Sequence, residues 1–561
     1  MSHRQTQFDF WRGVVLIPAL ILALPVLVVF ASVFTPQVEI WQHLRQTVLT
    51  DYIINSLLLA TGTGFGALVI GTTTAWFVSQ YDFFGRRVLQ WLLLLPLAMP
   101  AYIIAYTYTG VLDFAGPVQS WLRATFSWSY GDYWFPEIRS LGGVIIMLML
   151  VLYPYVYMLA RSAFSEQSGS LSEASRSLGL TTRQHFIRVA LPLARPAILT
   201  GTALAMMEAF ADYGTVQYFG VSTFTTGIFR TWFGLGNQPA AAQLAAMLTS
   251  FVLILLLLEH WSRRKIRYYH QGQRHRAAAR KSLTVAKQVG VFILCGLPIL
   301  FGFILPASQL GLWAAERYEM LFDPAYISLL WNSFSLAAIA AVVSVILALT
   351  FAYAKRLRNS LFIRLPVQTA ALGYAIPGTV IAIGVMIPLA WLDNHIDLLA
   401  EDWFGIRTGL LFSGSLFALV LAYSVRFLAV SLHSVESGLA RIKPNMDHAA
   451  RSLGASSSQV LTKIHLPLLR GSVLTALLLV FVDALKELPA TLILRPFNFN
   501  TLAVRTYELA SDERLADAAL PALSIVLVSL LPVIILARGL DTDIKAPDIK
   551  APDIKAPDIK G

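Results

Sequence analysis

Four carboxylates sit at matched places in two apolar stretches. Glu208 and Asp212 lie towards the end of a run that opens at Leu191, and Asp483 and Glu487 lie equally far into a run that opens at Leu466. A charged side chain inside a membrane span costs roughly 2.5 to 3.5 kcal/mol on insertion scales, so such residues are functional candidates by default. Carboxylate oxygens suit hard cations, and an acidic ring around a pathway would equally suit a charged organic amine. Spacing by four predicts that each pair shares one helical face. At about 1.5 Å of rise per residue, all four fall in the half of the bilayer away from the start of the run. The competing reading is structural: Lys486 pairs with Asp483 or Glu487, while Glu208 and Asp212 cap or orient helix ends. Tyr102, Tyr106 and Tyr108 offer phenolate oxygens, a weaker signal because tyrosines are common at membrane interfaces. No resident metal and no cofactor is assigned.

Other chemistries find no constellation. The chain has no GxxxxGK[ST] phosphate loop, no HExxH and no CxxC, so it is not expected to bind and hydrolyse ATP itself. Its single cysteine, Cys295, lies in an apolar run and can form no intrachain disulfide.

The elements that must position the acids are membrane helices. Of 561 residues, 56% are hydrophobic and 13% charged, about half the charged share of an ordinary soluble domain. The apolar runs are continuous, which excludes a β-barrel. They predict an all-α polytopic membrane protein of about 12 transmembrane helices: roughly 14 to 34, 54 to 79, 88 to 112, 141 to 163, 191 to 212, 239 to 259, 288 to 306, 329 to 354, 363 to 391, 409 to 432, 466 to 488 and 519 to 537. The first run follows a basic start, as in a signal sequence, but is long enough to be an uncleaved span. Lys and Arg fall on alternate connections, which puts those loops and both termini in the cytoplasm. The same preference accounts for much of the formal charge of +11. The basic segment 262–287 then reads as a cytoplasmic linker against anionic lipid, with no nucleic acid as partner. The segment 539–561, which ends in three copies of APDIK and Gly561, reads as a low-complexity, disordered tail.

The chain is also duplicated. Residues 173–192, EASRSLGLTTRQHFIRVALP, align without a gap on 448–467, HAARSLGASSSQVLTKIHLP. In each copy a short helix is expected to start after Ser172 or Asp447, to end at Gly179 or Gly454, and to be followed by a span whose first turn holds Pro192 or Pro467. A basic loop between spans would explain the arginines but not the doubled spacing. Pro100 and Pro377 interrupt corresponding spans, a pattern that points towards a central pathway or to packing kinks. Gly62 and Gly66, with Ala337 and Ala341 in the other half, suit close helix crossing.

Both repeated loops resemble the EAA loop of permease subunits of ABC importers: Glu-Ala-Ala, three residues, Gly, nine residues, an aliphatic residue, one residue, Leu-Pro. Glu173, Ala174, Gly179, Val189, Leu191 and Pro192 fill the first copy, and Ala449, Ala450, Gly454, Ile464, Leu466 and Pro467 the second, with His448 in place of the Glu. The stretches Phe210 to Gly234 and Leu485 to Leu523, and the fusion of two halves, resemble the ferric-iron branch; thiamine, polyamine and phosphonate branches are similar in layout. The resemblance implies the type I importer (MetI-like) permease fold, with halves at 1–261 and 288–538. It also implies two copies of an ATPase subunit docked on the two loops, a periplasmic binding protein and a bacterial inner-membrane location. In that picture the EAA residues couple to the ATPase, and Glu208, Asp212, Asp483 and Glu487 line the substrate pathway. An ion-coupled secondary transporter would also have twelve helices and internal repeats, but would not need the loops.

Overall fold

Lipid offers a backbone amide no hydrogen-bond partner, so each apolar run closes its own bonds as a helix. The computed structural model describes residues 2–129, 131–167, 175, 177–264, 280–358 and 360–542. Twelve helices organise them: α1 Ser2–Ala31, α2 Leu49–Gln80, α3 Ala101–Leu112, α4 Leu141–Ser165, α5 Leu191–Ala211, α6 Gln238–Arg264, α7 Val285–Ile299, α8 Pro324–Leu357, α9 Gly378–Phe404, α10 Leu416–Ala440, α11 Leu466–Leu485 and α12 Leu515–Thr542. Among the described residues, eleven helices are long and apolar enough to cross a membrane, or up to twelve if one bent pair counts as a span. α7 continues through a π turn as far as Glu316. α12 runs to Thr542, four residues into the segment read as a tail; the APDIK repeats and residues 265–279 of the linker lie outside the described residues.

The duplication is a structural one. In the first half α2, α4 and α5 pack on one another, and in the second α8, α10 and α11 do the same. α4 and α10 are both 25 residues long and both start after a serine that caps the helix, Ser140 and Ser415. Small residues let the backbones approach: a Cβ on Gly62 or Gly66 would press on Ile145 or Met149 of α4. Ala337 and Ala341 are buried in α8.

Both prolines break their spans rather than kink them. Arg86–Ala98 and Ala101–Phe126 meet at 92°, with Pro100 in an extended conformation (φ −59°, ψ 140°) ahead of α3. Pro377 (φ −55°, ψ 142°) stands in the same way ahead of α9, so the span expected at 363 to 391 is instead a helix Leu361–Ala371, a 3-10 turn Leu372–Ala375 and α9. Because α9 runs on to Phe404, Asp393, Asp397, Glu401 and Asp402 sit on its last turns, not in a loop. Asp393 is buried there and accepts hydrogen bonds from the Phe412 and Ser413 amides at 3.0 and 2.8 Å.

The two sequence halves exchange their first helices. α1 packs against α9 and the helix Leu361–Ala371 of the second half. α7, with its continuation, packs on α2, α3 and Arg86–Leu92 of the first half as well as on α12. A short parallel pair, β1 Tyr81–Asp82 with β2 Lys281–Ser282, ties the turn after α2 to the end of the linker. The α1 seat needs a glycine, since a Cβ on Gly384 would collide with the backbone of Pro25. Gly384→Ala should therefore lift α1 from α9 and lower the unfolding free energy in detergent by about 1–3 kcal/mol, the usual cost of overpacking. A thermal unfolding midpoint equal to wild type would show that α1 does not depend on this contact.

Candidate functional site

α5 and α11 each carry one acid inside the helix and one just beyond it. α5 ends at Ala211 and α11 at Leu485, so Asp212 and Glu487 do not share a continuous helical face with Glu208 and Asp483, contrary to the spacing rule. The reason is capping. Asp212 accepts from the Thr215 and Val216 amides at 3.1 Å and from the Thr215 hydroxyl at 2.9 Å, starting the short helix Gly214–Tyr218. Glu487 accepts from the Ala490 amide at 3.3 Å at the start of Pro489–Leu494. An acid that satisfies free helix N–H groups ends one helix and begins the next.

All four acids still meet. A central cavity of about 150 Å³ is lined by Glu208, Asp212, Asp483 and Glu487, by Tyr102, Tyr155 and Tyr374, and by Arg426 and Lys486. Its walls come from both halves in equivalent pairs, among them Glu208 with Asp483, Asp212 with Glu487 and Leu152 with Phe427, which places it on the pseudo-two-fold axis. The ring is not a bare one. Arg426 Nη1 donates to Glu487 Oε1 at 3.2 Å, and Lys486 Nζ lies 2.8 Å from Asp483 Oδ1. Lys486 thus pairs with Asp483, and Asp212 caps a helix end, as the structural reading expects. Glu208 does neither; among the described residues its carboxylate has no hydrogen bond or ion pair, although Arg426, Lys486, Asp483 and Glu487 are its electrostatic neighbours. Four carboxylates and two cations leave a formal charge of −2. Among the described residues no three or more His, Cys, Asp or Glu side chains converge as a metal cage.

Of the three tyrosines singled out by sequence, only Tyr102 reaches the cavity, with its hydroxyl buried and unpaired. Tyr106 is buried and stacks on Trp313, and Tyr108 donates to the Phe301 carbonyl at 2.7 Å. Arg426, Tyr155 and Tyr374 escaped the sequence reading. Arg426 had a signal, since it stands alone with its charge in the apolar run of α10. The two tyrosines had none.

A second, more open cavity of about 1140 Å³ adjoins α10 and α11. Met158 and His433 face it from equivalent places in α4 and α10, as do Leu204 and Leu479 in α5 and α11, so it too lies on the pseudo-axis. Arg441, Ile442 and Met446 extend it to the second repeated loop.

In that loop the short helix spans Pro444–Ser452, starting four residues before the expected point, because Asp447 is engaged from the side rather than as a cap. Its carboxylate receives Arg356 Nε at 2.8 Å and contacts His465 Nε2 at 2.7 Å. Arg356 also donates to the Leu439 and Ile442 carbonyls at 2.6 and 2.9 Å, fastening α8, the end of α10 and the loop together. Burial opposes ionisation of Asp447, but hydrogen bonds from Arg356 and His465 outweigh it and hold its carboxyl below the usual value. Ala450 is buried and Ala449 exposed. Gly454 stands at φ +85° and Gly179 at φ +79°, the left-handed turn that glycine adopts without penalty. After each glycine a capping box follows, Thr181 with Gln184 and Ser456 with Gln459, then a π turn and the helix whose first turn holds Pro192 or Pro467. Glu173 and Ala174 lie outside the described residues. Equivalent aromatic residues hold the loops to the bundle: Trp76 of α2 lies against His185, and Tyr353 of α8 edge-on against His465.

Two exchanged six-helix halves, a charged cavity on their pseudo-axis and a repeated loop leading into each acid-bearing helix define a polytopic transport subunit. The chain belongs to the family of binding-protein-dependent transport system inner membrane components, whose model matches residues 67–268 and 369–546. It is 26% identical to the Fe(3+)-transport system permease protein FbpB 2 of Haemophilus influenzae, over 94% of this chain and 98% of that one. It is 23% identical to the ferric transport system permease protein FbpB of Actinobacillus pleuropneumoniae, over 86% of this chain and 71% of the relative. The molybdenum transport system permease protein ModB of Haemophilus influenzae is 25% identical over 39% of this chain and 95% of its own length.

Because the Asp447 carboxyl titrates lower in the folded protein than in the unfolded chain, its support of the loop is complete above the ordinary aspartate range near about 4. That support is lost as pH falls through the lowered value. Amide exchange over 444–452 should accelerate on that acid limb in wild type. In Asp447→Asn it should be fast at every pH, with a local loss of about 1.5–3 kcal/mol for hydrogen bonds to a charged group. An Asn variant with wild-type protection would remove Asp447 from the scaffold.

Proposed function

We propose that this chain forms the translocation path of an ATP-driven importer for ferric iron, taking the ion from a periplasmic binding protein and delivering it to the cytoplasm. The observation that carries the substrate reading is the central cavity, small and net negative on the axis between the halves. Its volume of about 150 Å³ lies below the roughly 300–1,000 Å³ of pockets for drug-sized organic ligands, which favours a small ion over thiamine or a polyamine. Its charge favours a cation over an oxyanion. The names of the relatives that align along nearly the whole chain, Fe(3+)- and ferric-transport permeases, support the same choice. In this reading Glu208, Asp212, Asp483 and Glu487 line the path. Among the described residues no three His, Cys, Asp or Glu side chains converge on an ion; the ion is proposed to pass from acid to acid.

ATP hydrolysis falls to two copies of a separate ATPase subunit, one docked on each repeated loop. Leu178 and Leu453 support this: they stand at equivalent places beside Gly179 and Gly454 and are 81% and 89% exposed, apolar side chains in position to be covered. The coupling residues are Glu173, Ala174, Gly179 and Pro192 in the first loop and Ala449, Ala450, Gly454 and Pro467 in the second. α5 and α11 start beside the loops and end at the acids, 21 and 20 residues later. They act as rods of about 30 Å that convert a movement of the loop into a movement of the cavity wall. With the loops on the ATPase side, both termini are cytoplasmic, and the sequence halves 1–261 and 288–538 are two arms that share one path.

Among the described residues neither loop glycine has an atom within 4 Å of where a Cβ would stand, so replacement tests backbone conformation. Gly179→Ala with Gly454→Ala should impose a left-handed penalty of about 1–2 kcal/mol per site and lower uptake per ATP hydrolysed in an assembled complex. The Asn pair, which tolerates that conformation, should retain more; unchanged uptake in the Ala pair would remove both glycines from coupling. The substrate is tested by uptake of labelled ferric iron into cells lacking their own ferric importers, with the chain co-expressed with its ATPase and binding protein. Iron uptake that disappears in Asp483→Asn with Glu487→Gln, at normal membrane levels, is the expected result. Thiamine uptake in the same cells, or no iron uptake from an assembled complex, would overturn the iron reading.

A further inference from the structure

The cavity repeats its acids but not its cations. Arg426 is the eleventh residue of α10, and the eleventh residue of α4 is Val151; Lys486 stands three residues after Asp483, and Ala211 three residues after Glu208. Both positive charges therefore come from the second half, and both are used at once, on Glu487 at 3.2 Å and on Asp483 at 2.8 Å. A third departure accompanies them. The residue after the span-breaking proline is Ala101 in the first half and Gly378 in the second, and a Cβ on Gly378 would collide with Arg426 Nη1 and Glu487 Oε1. The missing side chain is what lets that pair close.

We propose that Arg426 and Lys486 are tethered cations that stand in for the transported ion on the second-half wall of the cavity. They neutralise Glu487 and Asp483 while the path is unloaded and withhold those oxygens from free monovalent and divalent cations. They give them up to a small ion of higher charge, which Glu208 receives first. This rests on the cation-path reading above. Coulomb attraction grows in proportion to the charge of the competitor, so a trivalent ion has a lever against a guanidinium or ammonium that potassium lacks. A tethered cation also loses no translational freedom in pairing, whereas a free ion does. With the two pairs closed, Asp212 and Glu208 hold the uncompensated charge. The oxygens of Asp212 already accept from Thr215 and Val216, which leaves Glu208 as the open acceptor.

The test uses the whole complex, with its ATPase, in liposomes. One readout is ATP-driven uptake of labelled ferric iron supplied on the binding protein, and the other is ATP-independent entry of potassium and of manganese(II) into dye-loaded liposomes. Arg426→Gln with Lys486→Gln should raise the leak of the unloaded complex by about tenfold, the size of a 1.4 kcal/mol interaction. Gly378→Ala, which keeps every charge and only separates the pair, should move it in the same direction. Lys486→Gln alone, at a side chain 31% exposed, serves if the double variant does not assemble. Wild-type iron uptake with variants as tight as wild type, and the ATPase still bound, overturns the tethered-cation proposal and leaves the iron reading standing. Leaky variants of a wild-type complex that carries no iron overturn the iron reading and leave the cation block.

Discussion

Carboxylates carried into a hydrocarbon layer must be answered by hydrogen bonds or by opposite charge, because water is not there to do it. This protein answers three of its four. Asp212 is taken up by a helix start. Glu487 is held by Arg426 and the Ala490 amide, and Asp483 by Lys486. These bonds fix where α5 and α11 end and where the short helices Gly214–Tyr218 and Pro489–Leu494 begin, and so fix the inner walls of the cavity. Among the described residues Glu208 remains without a hydrogen bond or ion pair, in a site whose formal charge is −2. The polarity of the cavity thus follows from which acids the fold satisfies and which it leaves.

The second organising feature is that the halves are not independent bodies. Each lends its first helix to the other, α1 to α9 and α7 to α2 and α3, and a proline in extended conformation breaks the third span of each half. A movement of one half is then felt by the other. In the proposed mechanism this is an advantage, since α5 and α11 must swing as a pair when the two loops are drawn together.

Much of the architecture could be read in the chain. Continuous apolar runs give the spans, the doubled Gly and Leu-Pro spacing gives the repeat, and acids at matched depth give the site, because each signal is local or periodic. What escaped depends on contacts distant in sequence or on competition between local preferences. The exchange of first helices is decided by surfaces such as Gly384 against Pro25, which carry no periodic mark. The helix end between Glu208 and Asp212 is decided by capping winning over continuation. The engagement of Asp447 by Arg356 joins residues far apart in the chain. Arg426 was legible in principle from its charge amid apolar neighbours, whereas Tyr155 and Tyr374 look like any other interfacial aromatics.

The central claim is that the transported cation passes through the cavity between Glu208 and Asp483. Anomalous diffraction at the iron edge, on crystals of the assembled complex trapped with ferric iron, tests it most directly. The account predicts a peak inside this cavity within bonding distance of the Glu208 carboxylate, with Lys486 turned away from Asp483. A loaded complex with its iron elsewhere, and with the Arg426 and Lys486 pairs closed as they are here, would contradict it.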